Sequence, residues 1–563
     1  MTHADQVQPS RVRYLVVALA MMASLLLYLD RYCISFAERY IKQDLGLSNF
    51  EISVVLGAFF LSYALGQVPS GFLADRHGAR LMLTLYILIW SFFTGLTGLA
   101  GGFVMLVLFR LGVGIGQAGA YPTCGGLISK WVPFAARGQA SSLIAFGGRI
   151  GGSFAPLLTA LFIVWFVPVS VSSLLQPADL LDLPTLCKQL NERKRPVDDY
   201  LLDGLPSDLR AQVPVCAART DTACEPALAQ GMLTRLNQVV RDRSFYRDEF
   251  FGNFDLPREA VQLAGRPREQ LSDDEVHRLN RLALEAAYPD ALRKVYVAGW
   301  RPVMMVFGAL GLLVAALFWL LARDRPRDHP SCNEEEVRLI EESLPGSGGD
   351  VPTRVRCVPL GHLVRSRTMW LMCITHAGTN MGWVFLVGWL PRYLDEVHHL
   401  PIGERGTLAT IPLVVGWAGM ILGGYSTDRL TRRVGRRWGR ALPIALSRFV
   451  AMAAYLTCLL NPDPMLATVA FALVAFGTDF GSPAIWAFSL DVGGRYAASF
   501  YGWPNMWGNL AAGLSLLLLN WIVDTTTAPR WDLAFLMCAV AFAISGLAAL
   551  GIDASKSIAP EDD

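Results

Sequence analysis

Apolar residues occur along most of the chain in runs of about twenty, and short polar stretches separate these runs. A helix of about twenty apolar residues is long enough to cross the roughly 30 Å hydrocarbon core of a bilayer. Because backbone groups must be hydrogen-bonded within each segment in hydrocarbon, every run predicts a membrane-spanning α-helix. Twelve helices are predicted, near residues 14–37, 50–73, 80–99, 102–127, 139–168, 302–322, 369–391, 407–425, 441–460, 465–489, 498–522 and 533–551.

Two long polar segments interrupt this pattern. The first is rich in charge and proline, and its stretch 271–287 has the spacing of a soluble amphipathic helix. In the second, the capping-box spacing of Ser331 and Glu334 predicts a short surface helix. The predicted division is an N-terminal half with helices 1–5 at 1–169, an insert at 170–299, helix 6 at 300–322, a central loop at 323–368 and a C-terminal half with helices 7–12 at 369–563.

Positive charge is concentrated on one side of the predicted helices. The loop 426–440 and the central loop are rich in Arg, whereas the opposing loops near 99–102 and 461–465 contain neither Lys nor Arg. Cytoplasmic loops carry the excess of Lys and Arg. Both termini are therefore predicted to be cytoplasmic in a multi-pass protein of the cell inner membrane. Helix 5 then runs outward, so the insert is predicted to be extracytoplasmic.

The composition agrees with a membrane protein and gives no reason to expect nucleic acid as a partner. Hydrophobic residues make up 53% of the chain, the formal net charge is only +2, and the mean hydropathy is +0.38. The Cys residues show neither haem nor metal-ligand spacing, so no metal and no other cofactor is expected. In an oxidising compartment Cys216 and Cys224 could form a disulfide or remain free, with Cys187 left over.

One short motif is repeated in the two halves of the chain. Gly71 and Asp75 stand at the end of predicted helix 2, and Gly424 and Asp428 stand at the end of predicted helix 8 at the same spacing of four residues. Such a Gly allows close helix packing, and the Asp favours a helix N-terminus or an Arg as its partner. The repeat predicts a gate that latches the halves together, although an ordinary positive-inside loop would also explain its basic residues. The basic gate residues are Arg76, Arg80 and Arg429.

These features resemble the major facilitator superfamily, whose loop motif is similar to the stretch that starts at Gly71. A further set of motifs is similar to the anion:cation symporter family, which includes carriers of sugar acids and sialic acid. The set comprises Tyr28-Leu29-Asp30-Arg31, Arg110, Tyr121-Pro122, Ser129-Lys130-Trp131-Val132-Pro133, Gly299-Trp300-Arg301, Asp324-Arg325-Pro326, His329-Pro330, Trp389-Leu390-Pro391-Arg392-Tyr393-Leu394, Pro483-Ala484-Ile485-Trp486-Ala487, Asp491 and Asn505-Met506-Trp507-Gly508-Asn509. The resemblance covers the chain except the insert, and it implies an all-α membrane fold of two six-helix pseudo-symmetric halves.

The resemblance implies roles for charged residues within the predicted spans, where a charge is costly and favours the bundle interior. Asp30 is implied as the proton-coupling acid, and Arg31 and Arg110 as the groups that bind an anion. A structural ion pair of these residues within the bundle is the alternative. The other implied or candidate substrate-binding residues are Tyr28, Tyr63, His376, Asn380, Trp486 and Asn505.

The sequence departs from the family pattern at two positions. Gln117 stands where sugar-acid carriers of the family typically have Glu, and a Gln side chain cannot take up a proton. Either coupling therefore falls on Asp30 alone, or the protein is a uniporter or an exchanger. Arg149, in a glycine-rich stretch of predicted helix 5, could add a third cation to the substrate site or extend to the membrane interface.

The predicted function is transport rather than enzymatic catalysis. The substrate is expected to be a small organic anion, such as a hexuronate, aldonate or aldarate, moved by alternating access and coupled to protons. The partners are the anion, the proton and the bilayer, and the protein is expected to be a monomer. Two alternatives remain: an organophosphate antiporter, which also uses paired Arg residues, and a transporter-like sensor that binds its ligand through the insert.

Overall fold

The structure is a computed structural model of the 563-residue chain. It describes residues 8–169, 172–218, 224–252, 254, 256–289, 291–341, 360–398, 402–460, 463–524 and 530–558. In this part of the chain the regular structure is helical, except for one isolated antiparallel bridge between Leu180 and Leu292. The expectation of an all-α protein is therefore confirmed.

The helices follow the predicted order along the chain. Those before the insert are α1 (Val12–Leu45), α2 (Asn49–His77), α3 (Ala79–Thr97), α4 (Phe103–Ala118), α5 (Ala120–Trp131) and α6 (Arg137–Trp165). Those of the insert are α7 (Leu183–Glu192), α8 (Pro196–Asp203), α9 (Ser207–Ala217), α10 (Pro226–Arg241), α11 (Asp248–Phe251), α12 (Arg258–Ala264) and α13 (Asp273–Ala287). The rest are α14 (Trp300–Leu321), α15 (Glu334–Glu341), α16 (Leu360–Arg365), α17 (Arg367–Val384), α18 (Leu390–Glu396), α19 (Ile402–Cys458), α20 (Pro464–Gly493), α21 (Ala497–Asp524) and α22 (Trp531–Leu550).

Ten helical stretches in the described residues are long and apolar enough to cross a membrane. Two features separate this number from the twelve predicted helices. The predicted helices at 407–425 and 441–460 both lie in α19, which changes direction at Gly435, where φ is +81°. The predicted helix at 369–391 consists of α17, a π-helical turn and α18, and polar side chains such as His376 make it less apolar.

The described residues within Met1–Phe36, Phe50–Leu157 and Met304–Asp563 form one compact unit. We call α1–α6 with α14 its first half, and α17–α22 its second half. Many large apolar side chains cover the outside of this unit; Phe92, Leu108 and Leu517 are each more than half exposed. An apolar surface of this extent is typical of a protein that faces lipid, and together with the apolar helices it identifies a multi-pass membrane protein.

The central loop contains the predicted short helix α15, but its cap differs from the prediction. The amide of Glu336 donates to the Asn333 side chain at 3.0 Å, so Asn333 rather than Ser331 caps the helix. The Glu336 carboxylate also accepts hydrogen bonds from Ser10 and from the backbone of Val12 and Arg13. Although burial raises the pKa of Glu336, these bonds lower it below its usual value.

The described residues within Ala37–Asn49 and Leu158–Val303 form a second compact unit, which contains the insert helices. Its core consists of buried apolar side chains from different helices, such as Leu190, Leu236 and Leu282. Ser272 caps α13, the helix predicted over 271–287, because its side chain accepts from the amide of Glu275. An apolar core and capped helices of this kind are typical of a soluble domain.

The two ends of the insert lie beside each other. The amide of Leu181 donates to the carbonyl of Ala291 at 2.9 Å, and that of Arg293 donates to the carbonyl of Asp179 at 2.8 Å. Close to these two ends, Asp44 at the end of α1 accepts hydrogen bonds from Arg293 and Arg301. The two ends of the insert are therefore held together within the second unit.

A disulfide joins Cys216 to Cys224, whereas Cys187 is a free, buried thiol. We expect non-reducing peptide mapping to recover a Cys216–Cys224 cross-linked peptide. Cys187 should react with an alkylating reagent only after denaturation, because burial raises the pKa of its thiol to about 12 and the thiolate is the reactive form. Cys187→Ser is the matched control and should leave the cross-link unchanged. Free Cys216 in the purified protein would contradict this assignment.

Candidate substrate-binding cavity

A cavity of about 320 Å³ lies between the first and second halves of the first unit. Its volume is at the lower end of the range of small-molecule sites, about 300–1,000 Å³. The structure brings most of the predicted substrate-binding residues to its wall; these are Tyr28, Arg31, Tyr63, Arg149, His376, Asn380, Trp486 and Asn505. The cavity therefore combines cations, hydroxyls and amides with aromatic rings.

Arg31 presents a positive charge to this cavity without a carboxylate partner among the described residues. Its Nε donates to Gln117 Oε1 at 3.1 Å, and the Gln117 amide in turn donates to the Leu27 carbonyl at 3.0 Å. The guanidinium carbon lies 4.4 Å from the ring centroid of Tyr63 and 4.8 Å from that of Tyr28. Its Nη2 is buried and has no hydrogen-bond partner. Amide and rings thus orient the guanidinium but do not neutralise it.

Asp30 and Arg110 are buried, but neither lines the cavity. Asp30 Oδ2 accepts from Trp90 Nε1 at 3.1 Å, and Asp30 Oδ1 has no partner. The Arg110 guanidinium lies 4.8 Å from the centroid of the Phe59 ring, which is also 5.0 Å from the guanidinium of Arg31. Arg110 and Arg31 thus both contact Phe59, but only Arg31 lines the cavity. The predicted roles of both residues in coupling and binding remain predictions.

The glycine-rich stretch of α6 makes room for the cavity. A Cβ at Gly148 would lie 2.6 Å from the Tyr121 hydroxyl and 2.7 Å from the Tyr28 ring. On the neighbouring face, Cβ atoms at Gly147 and Gly151 would collide with backbone carbonyls of α1. These glycines therefore allow α6 to pack directly against α1 and leave space for the two tyrosines.

Arg149 lines the cavity and forms an ion pair with Asp479 of α20. Its guanidinium carbon also lies 4.1 Å from the centroid of the Trp383 ring. Arg149 is therefore a further cation at the site, as the sequence allowed, but a carboxylate from the second half neutralises it. The alternative in which Arg149 extends to the membrane interface is not what the structure shows.

Arg448 of α19 is a fully buried cation that the sequence reasoning missed. Its Nη1 donates to the carbonyls of Gly477 and Thr478 at 3.0 and 3.1 Å, while Nε and Nη2 have no hydrogen-bond partner. A single Arg within the apolar run 441–460 is the signal that would have found it, since the same signal singled out Arg31.

Amides from both halves meet at another part of the site. Asn505 donates to Gln67 Oε1 at 3.0 Å, and Asn509 donates to the Asn505 carbonyl at 2.7 Å. Gln67 was also missed, although it is a polar residue within an apolar run. On α17, His376 has an Nδ1 without a hydrogen-bond partner. A Cβ at Gly508 would lie 2.8 Å from both His376 and Asn380, so this glycine makes room for them.

The first copy of the repeated motif binds the N-terminus of a helix in the other half. Asp75 Oδ1 accepts from the amide of Ala498 at 3.1 Å, and Oδ2 accepts from the amide and hydroxyl of Ser499 at 2.9 and 2.7 Å. These amides belong to the first turn of α21, where unpaired N–H groups favour a carboxylate. Gly71 allows the contact, because a Cβ there would lie 2.7 Å from the Ala498 carbonyl oxygen.

The second copy makes the reciprocal contact. Asp428 Oδ1 accepts from the amide of Gly138 at 3.0 Å, and Oδ2 accepts from that of Gln139 at 2.9 Å, both at the start of α6. A Cβ at Gly424 would lie 3.0 Å from the Gly138 carbonyl oxygen. Each half therefore contributes one Asp, which accepts hydrogen bonds from a helix N-terminus of the other half.

The basic residues of the motif are placed differently. Arg80 donates to the Trp319 carbonyl at 2.8 and 2.9 Å, and its amide donates to Asp324 at 3.0 Å, so it binds α14 within its own half. Arg76 and Arg429 are exposed. Arg440, which the positive-inside argument counted as a loop residue, is instead fully buried and pairs with Asp491 at 2.9 Å.

The sequence profile of the Major Facilitator Superfamily matches residues 20–173 and 295–516, which is more than half of the chain. The chain belongs to this superfamily of membrane transporters. The match omits most of the insert.

Several curated relatives are named as transporters of acids. Over 99% of this chain and 97% of its own length, the probable sulfoacetate transporter SauU of Cupriavidus necator is 22% identical. The probable L-galactonate transporter of Escherichia coli is 25% identical over 96% of this chain and 88% of its own length. The probable galactarate/D-glucarate transporter GudP of Bacillus subtilis is 24% identical, with coverages of 93% and 88%. The class of protein is therefore a transporter and not an enzyme.

A solved structure of the same superfamily has a similar fold. The chain aligns with the crystal structure of the transporter FucP in its outward conformation with a TM-score of 0.56 and 13% identity. The alignment covers 96% of this chain and 99% of FucP.

Proposed function

We propose that this protein is a secondary active transporter that carries an organic anion such as a sugar acid, coupled to protons, through the cavity around Arg31. The observation that carries the proposal is the Arg31 guanidinium, which lines the cavity and has no carboxylate partner among the described residues. A carboxylate or sulfonate would supply the missing negative charge and accept the unused Nη2 hydrogen bonds. The names of the acid-transporting relatives support the same chemistry.

The proposed topology has twelve membrane spans in the inner membrane, both termini in the cytoplasm and the insert outside. The Arg-rich loop 426–440 supports this orientation through the positive-inside rule. The Cys216–Cys224 disulfide supports an oxidising compartment for the insert. The ten apolar stretches become twelve spans when α19 is counted as two spans around Gly435 and when α17 with α18, which is not among the ten, is added as one span.

Alternating access is proposed to proceed by release of the two Asp contacts. Asp75, which binds the start of α21, and Asp428, which binds the start of α6, join the halves at the side assigned to the cytoplasm. While both contacts are made, the cavity is closed on that side. When the halves rock apart, water can replace the carboxylate as the partner of each helix N-terminus, so that little free energy separates the two conformers.

A thermal-shift screen of the purified protein tests the proposed substrate class. We expect L-galactonate, galactarate or sulfoacetate to raise the melting temperature, because a ligand that binds the folded state stabilises it by mass action. The corresponding neutral sugar alcohol is the control and should have no effect. Stabilisation by organic phosphates alone would instead favour an organophosphate antiporter, and uptake of the stabilising ligand into proteoliposomes would establish transport.

Removal of the insert separates the carrier from the sensor alternative. Because Leu180 and Leu292 are bridged, residues 182–290 can be replaced by two glycines without moving the flanking chain. We expect the shortened protein to retain at least half of the uptake of the full-length protein, since no described residue of the insert lines the cavity. A shortened protein that keeps its melting transition but loses all uptake would contradict an accessory role for the insert.

A further inference from the structure

We propose that Asp479 binds the proton that accompanies the anion, because the anion and the Asp479 carboxylate compete for the guanidinium of Arg149. This inference deepens the proposed carrier function and rests on it. It assigns the coupling to the second half of the molecule, whereas the sequence resemblance assigns it to Asp30 in the first half.

The competition follows from the position of the ion pair. Arg149 is a wall residue of the cavity and is 21% exposed, whereas Asp479 is 1% exposed and lies behind it. An anion that enters the cavity therefore reaches Arg149 from the open side, while Asp479 holds it from the other. Arg31 needs no such exchange, since its guanidinium has no carboxylate partner in the described part of the chain.

When an anion takes the Arg149 guanidinium, Asp479 becomes a buried carboxylate that has lost its ion-pair partner. Its Oδ2 already lacks a hydrogen-bond partner, and a Cβ at Gly416 would come within 2.7 Å of that oxygen. The neighbouring cation is Arg448, whose Nη1 donates to the carbonyls of Gly477 and Thr478, while its Nε and Nη2 have no hydrogen-bond partner and none of its nitrogens donates to Asp479. Because an unpaired buried charge is costly, the carboxylate is expected to take up a proton when its partner leaves.

The exchange balances charge and protons. In the empty carrier, Arg149 is paired with the ionised Asp479. When a monoanion takes Arg149, one proton from water on the open side converts the Asp479 carboxylate into a carboxylic acid, so the net charge of the occupied site equals that of the empty one. When the anion leaves on the other side, Arg149 returns to Asp479 and the proton is released there. One anion and one proton are thus carried together.

The other titratable groups around the cavity fit this role less well. Gln117, which binds Arg31, cannot ionise. Asp30 does not line the cavity and is bonded to Trp90, so an anion at the wall displaces none of its partners. The groups that line the wall near Arg149 are His376 from α17 and the hydroxyls of Tyr28 and Tyr32 from α1. None of these is ion-paired with a cation that the anion would take.

The test is calorimetric titration of the full-length carrier with L-galactonate and with galactarate, in buffers of different ionisation enthalpy between pH 6 and pH 8. For the wild type we expect about one proton to be taken up per anion bound. We also expect the Kd to increase about tenfold per pH unit as the pH rises. Asp479→Asn should bind with no proton uptake and a Kd that does not change with pH. Asp479→Glu should restore the pH dependence.

Asp30→Asn tests the competing assignment: it should keep the proton uptake of the wild type if Asp479 binds the proton, and lose it if Asp30 does. Melting temperatures establish that each variant is folded, and if Asp479→Asn does not fold, the wild type and Asp479→Glu decide the result. Wild-type binding without proton uptake would overturn the inference alone, as expected if Arg448 takes over the carboxylate. So would proton uptake that survives in Asp479→Asn or disappears in Asp30→Asn. Failure of the wild type to bind either probe would overturn the proposed function and this inference with it.

Discussion

Arg31→Ala will weaken the binding of the organic anion by about 10- to 150-fold and will reduce uptake accordingly. A hydrogen bond to a charged group contributes about 1.5–3 kcal/mol, and 1.4 kcal/mol corresponds to a tenfold change in Kd. The loss is expected to be large because Arg31 is the cavity cation that no carboxylate neutralises in the described part of the protein. Calorimetric titration with the anion identified in the thermal-shift screen measures the effect.

Two variants make this result specific. Arg429→Ala removes an exposed arginine far from the described cavity lining and should leave the Kd unchanged. Arg110→Ala removes a buried arginine that does not line the cavity, so its effect on the Kd should be smaller than that of Arg31→Ala. Equal binding by the wild type and a folded Arg31→Ala protein would refute the proposed anion site.

Gly71→Ala will open the contact between Asp75 and α21 and reduce uptake by about 5- to 150-fold. The added Cβ would lie 2.7 Å from the Ala498 carbonyl oxygen, a backbone atom that cannot rotate away. Overpacking of this kind costs about 1–3 kcal/mol, and this cost applies only to the conformer in which the contact is made. The variant should therefore increase the population in which the two halves are separated on that side.

Distances between spin labels can measure this shift in population. Positions 77 and 433 are exposed and lie on different halves near the two Asp contacts, so they are suitable sites for the labels. Gly57→Ala is the matched control in the same helix, because a Cβ there meets no atom within 4 Å. It should preserve the distance distribution and the uptake of the wild type. A Gly71→Ala protein with the distribution of the wild type would show that the glycine is not needed for closure.

The sequence alone predicted an all-α membrane protein, because the need to satisfy backbone groups in lipid leaves few alternatives. It also predicted most of the cavity wall, since the polar residues of apolar spans are directed inward. Arg31, Tyr63 and Asn505 are examples of residues that meet there. The repeated Gly and Asp residues likewise suggested helix N-termini as partners, but not which helices would supply them.

The pairings within the site could not be predicted in the same way. A run of apolar residues shows that an arginine is inside the bundle, but not how that helix is rotated against its neighbours. Arg110 and Arg149 illustrate this point: the first contacts Phe59 away from the cavity, and the second is neutralised by Asp479 of another helix. Such a pair joins residues 330 positions apart in the chain, so it depends on how the two halves pack together.

The carboxylates of Asp75 and Asp428 accept hydrogen bonds from main-chain amides, with the Ser499 hydroxyl as an additional donor to Asp75 and the Arg440 guanidinium 3.8 Å from Asp428. Any amino acid except proline supplies such an amide. Substitutions at positions 139, 498 and 499 can therefore accumulate during evolution without loss of the main-chain hydrogen bonds, provided that the new side chain fits, whereas a Cβ at Gly138 would lie 2.5 Å from Asp428 Oδ1. Only proline at these positions would remove a donor. A proline scan of the two helix starts would therefore distinguish the four positions whose amides bind an Asp from adjacent positions whose amides do not.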